Sequence, residues 1–466
     1  DRAPLVPFAN TNEGPSISVA DINNDGLQDI FISGAKAQAS KLYIQQADGS
    51  LKSEQETIFA EDAFNEDVSH VFFDANGDEF QDLIVVSAGN EFKSSNRIEP
   101  RLYLNNKGVF EKQSNTFTGI ELNASKVIAV DFDNDGDMDL TITSDQVPQQ
   151  FGITSAQYLF ENDGKGVFKN VTTTVAKNFE SIGNVKDVVW TDLDGNGFRD
   201  LITVGNWMPI AIFMNDGKNL SPALSNGLEK TNGFWNCILA EDFDNDGDID
   251  LVAGNWGNNS KFKASFEYPI TLYSHDFDSN SSIEPLVTYF YNKKETPFAS
   301  KDELVKQMPF LNKKFLSYKD FAEASMRDLF GSKNLEKATQ KRVYELSSCY
   351  FENLGNNTYK KIKLPKMAQS STINDMMIAD FDEDGKKEIL AVGNNYEIST
   401  QLGRMDALHG IFLRFGKNGF HWAKDLKINI PGPSRSIEKV TVDKKEFYII
   451  GINNSAPLFL ERNQNE

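Results

Sequence analysis

The stretch Asp131-Phe-Asp133-Asn-Asp135-Gly136-Asp137-Met-Asp139-Leu140 constrains the fold more than any other part of the chain. Acidic side chains stand at positions 1, 3, 5 and 9 of a nine-residue loop, Gly stands at position 6, and an apolar strand-like run follows. In a tight loop the residues at 1, 3 and 5 point inward, and glycine permits the sharp turn that closes it. A backbone carbonyl can serve at 7 and the carboxylate at 9 completes the cage. This donor set suits Ca²⁺, a hard ion that takes about 6–8 oxygen ligands. The calcium loop of a helix–loop–helix hand places its closing acid three positions later. Here closure comes early and a strand follows, so the context is β rather than helical.

The pattern recurs in phase. Asp21, Asn23, Asp25 and Asp29 form one copy, and Asp74, Asn76, Asp78 and Asp82 another, with Glu79 in place of Gly. Asp192, Asp194, Asn196 and Asp200 follow, then Asp242, Asp244, Asp246 and Asp250. Asp276, Asp278, Asn280 and Glu284 make a copy without Gly, and Asp380, Asp382, Asp384 and Glu388 complete the set. A worn copy, Val442-Asp-Lys-Lys-Glu-Phe447, has lost its ligands and reads as metal-free. About five to seven Ca²⁺ sites are therefore expected.

Each loop has a short β-rich run before it and another after it, as in Val127-Ile-Ala-Val130 and Asp200-Leu-Ile-Thr-Val204. Farther on comes a second phrase: Leu102-Tyr-Leu-Asn-Asn-Lys-Gly-Val-Phe110, Tyr158-Leu-Phe-Glu-Asn-Asp-Gly-Lys-Gly-Val-Phe168, Tyr350-Phe-Glu-Asn-Leu-Gly355. This is a strand, an Asn/Asp-Gly turn and a strand, a hairpin. Starts at 21, 74, 131, 192 and 242 are spaced by 53, 57, 61 and 50 residues. Four-stranded units at such a period read as propeller blades, which bury their faces between neighbours. The expected fold is all-β: one seven-bladed β-propeller over residues 1–466, its metal loops starting at 21, 74, 131, 192, 242, 380 and 443. Leu5–Phe8 is expected to close the last blade as a strand.

The interval from 242 to 380 is longer than two blades. Residues 268–291 read as an outer hairpin with the Asp276 loop at its turn. Residues 295–345 read as a small helical insertion of two or three helices. Ser300-x-x-Glu303 and Ser317-x-x-Asp320 are N-cap signatures, and Gly331 is a stop. The aromatic and Met residues there read as packing.

These residues resemble the FG-GAP/VCBS repeat family, calcium-loop β-propellers also seen in integrin α-subunit heads. A narrower likeness rests on Gly14-Pro-Ser-Ile-Ser-Val-Ala-Asp21, Gly254-Asn-Trp-Gly-Asn-Asn-Ser-Lys-Phe262 and Leu402-Gly-Arg-Met-Asp-Ala407. It is to the large VCBS-repeat surface proteins of Bacteroidota, related to CRTAC/UnbV-like proteins, in which this region is similar to a second propeller. The resemblance implies an exported, outer-membrane-associated setting and the metal role of positions 1, 3, 5 and 9. The start at Asp1-Arg2-Ala3-Pro4 reads as part of something longer.

Composition sets the remaining bounds. The net charge of −21 sits largely in the loops, so it points to metal before it points to a partner and argues against nucleic acid. No run of 18 apolar residues spans a membrane. Loops of modest affinity fill where calcium is millimolar, outside the cytoplasm. Cys237 and Cys349 lie in apolar contexts and read as buried thiols, with a disulfide between them as the alternative. The four His (70, 275, 409 and 421) share no motif, and His70 reads as structural.

The end of strand two must emerge opposite the metal loops, and there the chain repeatedly reads Gly-Asn. Asn90, Asn206, Asn255 and Asn394, with Trp207, Trp256 and Tyr396 and with Arg404 nearby, are expected to ring the channel mouth. Such a face suits a sugar or a protein loop. The competing reading is that Gly-Asn caps a strand and the aromatics pack between blades. The function expected is a non-catalytic calcium-stabilised scaffold binding other proteins of an outer-membrane surface assembly. A glycan-binding module is the first alternative and a polysaccharide-active enzyme the second.

Overall fold

The computed structural model describes residues 5–8, 13–90, 92–417 and 419–461. The chain is all-β, organised as consecutive antiparallel sheets of neighbouring strands. The first strands of seven of them are Ile17–Ala20, Glu66–Phe73, Asn123–Val130, Asn184–Thr191, Cys237–Glu241, Ile373–Ala379 and Ser434–Val442. We number these sheets one to seven. In the first six, an acidic nine-residue loop leads from the first strand into the second, which begins on the loop's closing acid: Asp29, Asp82, Asp139, Asp200, Asp250 or Glu388.

The second strands explain how the sheets stack. Their sequences are continuous apolar runs, the pattern of a strand covered on both faces. Because side chains alternate, odd and even residues serve different neighbours. Leu83 and Val85 pack with Phe31 and Leu42 of the first sheet. Ile84 and Val86 pack with Val127 and Leu140 of the third. Leu201 faces Val130 and Leu159 of the third sheet, and Ile202 faces Leu251 and Phe351 of the fifth. The sixth sheet sorts Ile389 and Leu390 in the same way, toward the fifth and seventh. Ile17 and Ile30 of the first sheet pack with Val440 and Ile449 of the seventh, so the succession returns to its start.

The seventh sheet has three strands, Ser434–Val442, Lys445–Ile452 and Leu458–Glu461. Asp443 and Lys444 both take positive φ, 47° and 64°, so a two-residue turn replaces the metal loop there. The strand expected from Leu5–Phe8 does not join this sheet. Phe8 instead bridges Ile398 and packs its ring 5.3 Å from both Phe234 and Trp256. An apolar residue at this point buries more surface inside the molecule than at a sheet edge.

The Asp276 loop belongs to an eighth sheet, ordered Lys294–Pro297, Glu284–Tyr291, Ile270–His275, Thr339–Val343. This sheet is inserted between the second and third strands of the fifth. On it lie, among the described residues, five short helices rather than two or three: Lys301–Gln307, Phe310–Lys314, Tyr318–Glu323, Met326–Phe330 and Ser332–Lys337. Ser300 and Ser317 cap helices as expected, but Ser325 caps another, boxed with Asp328, and Pro309 and Gly331 interrupt the rest. Leu304, Met308, Leu311 and Phe330 pack on Phe277 and Leu286. Cys237 and Cys349 are buried free thiols. His70 is buried too, pushed down to about 4 by that burial, and meets the Ser18 hydroxyl at 2.8 Å across the first two sheets.

Candidate metal centres

Each loop is shaped by its own hydrogen bonds. The carboxylate at position 1 accepts from the backbone N–H of position 6, at 2.8 Å for Asp21 and 3.1 Å for Asp131. The acceptor at position 5 takes the N–H of position 7, as Asp25 does from Leu27 (2.8 Å) and Asp246 from Asp248 (2.9 Å). Both bends need a left-handed backbone. Position 6 has φ near 84° at Gly26, 99° at Gly136 and 95° at Gly247, and φ 69° at Glu79 and 71° at Ser281. Position 4 is left-handed as well, at Asn24, Gly77, Asn134, Gly195, Asn245, Ser279 and Glu383. The run of Asn and Gly at position 4 was the available signal for this second bend.

Five of the seven loops bring three carboxylates together, with ligand atoms within 4.8 Å of one another. These are Asp131/Asp133/Asp139, Asp192/Asp194/Asp200, Asp242/Asp244/Asp246, Asp276/Asp278/Glu284 and Asp380/Asp382/Glu388. Asp135, Asn196, Asn280, Asp384 and Asp250 complete the sets read from the sequence. In three loops a buried carboxylate oxygen has no hydrogen-bond donor: Oδ1 of Asp131, Asp278 and Asp380. Buried oxygens left without donors among other carboxylates are what a hard cation satisfies, so the residues fit Ca²⁺. A bound ion would supply the positive charge that these oxygens lack. In the Asp21 and Asp74 loops an amide, Asn23 or Asn76, stands at position 3, and no such triple of acids converges among the described residues.

The closing acid does more than face the loop. Asp139 Oδ2 accepts from Phe132 N at 3.2 Å and Oδ1 from Asn162 N at 2.8 Å. Asp82 and Asp200 repeat this with Ala75 and Asn105, and with Leu193 and Asn215. Burial, reinforced by the neighbouring loop carboxylates, pushes Asp139 up to about 7 and Asp29, Asp82, Asp200 and Asp250 up to about 6, against the pull of these backbone donors.

The Asn of the hairpin phrase, read from the sequence only as part of a turn, links neighbouring sheets. Asn105 Nδ2 donates to Ile22 O at 2.8 Å, Asn162 to Ala75 O at 2.9 Å and Asn215 to Phe132 O at 2.7 Å. Each acceptor is position 2 of the preceding sheet's loop. Gln45 performs the same task between the first and seventh sheets, donating to Thr441 O at 3.0 Å. The signal was present in the sequence: Asn105, Asn162, Asn215 and Asn353 recur at the same place in their hairpins, with Gln45 at that place in the first sheet.

The Asp380 loop departs from the others. Arg414 donates from Nε to Glu388 at 2.9 Å and from Nη2 to Asp382. A guanidinium thus already neutralises two of the carboxylates an ion would need.

On the opposite face the expected ring of open amides is not formed. Asn255 and Asn394 are fully buried. Asn255 accepts from Phe234 N and Trp256 N and donates to Glu345 O and Ser347 O. Asn394 donates to Leu408 O and Gly432 O. Asn90 accepts from Gln146 Nε2 at 2.6 Å. Trp207 and Trp256 belong to an aromatic core with Phe8, Phe234 and Phe262. The preceding glycines explain this burial: a Cβ on Gly205 or Gly393 would lie about 2.0 or 1.8 Å from a carbonyl of the adjacent strand. At Asn255 and Asn394 the chain therefore dives inward, and the amide satisfies backbone groups stranded by the bend. Tyr396 and Arg404 remain at the surface, the guanidinium 4.1 Å above the ring. Asn206 is buried but lines a small central cavity.

Residues 21–85, 74–142 and 192–253 match the family model described as FG-GAP-like repeat. No curated protein matches the chain. Among solved structures, the chain is similar to an Agrocybe aegerita lectin that recognises non-reducing terminal N-acetylglucosamine, at 13% identity over 96% of this chain and 94% of that one, with a TM-score of 0.47. It is similar to the V. cholerae biofilm matrix protein Bap1 at 10% identity over 96% and 89%, TM-score 0.37. It is similar to YCF48 from Cyanidioschyzon merolae at 9% identity over 96% of each chain, TM-score 0.43. At such scores these likenesses carry no argument about ligand or partner. The chain carries FG-GAP-like repeats on a β-propeller-like succession of four-stranded sheets.

Proposed function

We propose that this chain is a calcium-stabilised seven-bladed β-propeller that acts as a non-catalytic scaffold, binding other proteins in an assembly on the bacterial outer surface. The observation that carries the reading is the convergence of three carboxylates in each of five loops, with buried donorless oxygens in three of them. Packing of the first sheet on the seventh supports ring closure. Loops that need calcium to neutralise them suit an extracellular site, where the ion is plentiful. The outer-membrane setting rests on the resemblance in sequence. A scaffold reading is supported by how the acids are used: they are committed to loops and to backbone donors rather than to a cleft.

The test is purification from native membranes in calcium, followed by a chelator wash. A defined set of proteins should co-purify and dissociate on chelation. A clean monomer in calcium would overturn the scaffold reading. Heat on titration with surface polysaccharide, without protein partners, would put a glycan-binding module in its place.

A further inference from the structure

The first strands enclose a central space, and charged side chains face it at two levels. Mid-strand, Lys126 lies 3.4 Å from Asp187, and Asp375 and Glu438 bear on the same lysine. Nearer the strand starts, at the end away from the metal loops, Lys186 pairs with Glu13 at 2.7 Å and with Asp145 at 3.2 Å. Arg435, the second residue of Ser434–Val442, stands at this second level. Its Nε and Nη2 are buried and have no hydrogen-bond partner. Glu13 and Glu397 attract it through space, yet neither forms an ion pair with it.

Nε and Nη2 form one edge of the guanidinium, the edge that takes a carboxylate with two parallel hydrogen bonds. A buried charge whose donors are unmet is costly unless something fills the gap. Arg435 opens onto a cavity of about 70 Å³, shared with Lys186, Glu13, Asn206 and Asn395. About 10–15 Å³ of such space holds one water, so there is room for a small planar group. The carboxamide Nδ2 of Asn206 and of Asn395 makes no hydrogen bond within the described residues, which leaves two further donors. Trp256 and Phe8 wall the cavity on its apolar side. Glu13 occupies Lys186 already, so the protein itself demonstrates that this level accepts a carboxylate.

We infer that this cavity is a binding site for a carboxylate group, held two-pronged by Arg435 and flanked by the amides of Asn206 and Asn395. Small free acids and an acidic side chain of a partner protein share this chemistry, and the experiment separates them. The full chain in calcium is titrated calorimetrically with acetate and with a short peptide ending in glutamate. Binding of acetate assigns the site to free acids; binding of the peptide alone assigns it to a partner's side chain. In either case Arg435→Ala weakens binding about tenfold or more, the loss of one charge-assisted pair. Arg435→Lys, which keeps the charge but not the fork, falls between. Glu13→Gln strengthens binding, because it removes a competing negative charge beside Lys186. This last variant gains affinity, which a damaged fold would not do. If neither probe binds at millimolar concentration, or if Arg435→Ala binds as well as the parent, the assignment is wrong and the guanidinium is simply hydrated.

Discussion

Glu79 occupies position 6 of its loop with φ 69°, where five other loops place glycine at φ between 84° and 99°. A side chain in this region brings Cβ against the carbonyl, at about 1–2 kcal/mol, while glycine's greater freedom in the unfolded chain takes back part of the gain. Glu79→Gly should therefore stabilise the protein by about 1 kcal/mol, read as a higher denaturation midpoint in calcium; an unchanged or lower midpoint would mean that the loop relies on the glutamate itself. Asn162 makes the opposite case. Its amide satisfies Ala75 O in the preceding sheet and Met138 O in its own. Asn162→Ala strands one buried and one half-buried carbonyl and should cost about 2 kcal/mol. Asn353 donates only within its own sheet, to Ile249 O and to Asn357 Oδ1, so Asn353→Ala should cost less. Equal losses would show that bridging sheets contributes nothing beyond the hydrogen bonds themselves.

Among the elements, first strands differ from second strands in being edged with charge. Glu438, in Ser434–Val442, is pushed up to about 7 by burial, with Asp375 adding repulsion and Lys126 opposing it. Its carboxyl therefore holds a proton in the folded protein over a range where the unfolded chain has lost it. Below about pH 4 both states are protonated and the group is neutral in effect. As pH rises from there through 7, the folded state must give up a proton it prefers to keep, and stability falls. Glu438→Gln should be nearly silent at pH 4 and stabilising by about 1–3 kcal/mol at pH 8; a pH-independent effect would refute the charge argument. What was legible in the sequence tracks how local the cause is. The acidic loops could be read because their carboxylates lie within nine residues, and the second strands because burial on both faces writes a continuous apolar run. The outer hairpin with the Asp276 loop was legible as well, but the sheet it belongs to was not, because Lys294–Pro297 and Thr339–Val343, the second far along the chain, complete it in a stretch that reads as helical. The Gly-Asn phrase left a ligand face and a packed strand cap as competing readings, because sequence shows an amide but not the backbone groups that consume it; at Asn255 and Asn394 the packed reading holds. Leu5–Phe8 was assigned to a sheet edge because its apolar character does not say which cavity it fills.

For the whole molecule the deciding quantity is how much of its stability is borrowed from ions. A ligand that binds only the folded state adds about 2.7 kcal/mol at a hundred times its Kd, so a few filled loops would add about as much as the net stability of a typical domain. The loops also touch: Asn134 Nδ2 of the third donates to Gly197 O of the fourth at 2.9 Å. An ion that fixed one loop would therefore steady the next, and the same cages would hold in register the position-2 carbonyls that receive Asn105, Asn162 and Asn215. Chelation should lower Tm by many degrees and broaden the transition, and restoring calcium should reverse it. Asp131→Asn and Asp242→Asn should each remove part of that calcium-dependent gain while changing the Tm in chelator little. Arg414→Ala should act in the other direction on its own loop. Freed of the guanidinium that pairs with Glu388 and Asp382, the Asp380 loop should bind calcium more tightly, visible as an added tight site in a calcium titration. Were Tm the same with and without chelator, the sheets would be stacked by apolar contact alone, and the acids that converge in five loops would have to be explained some other way.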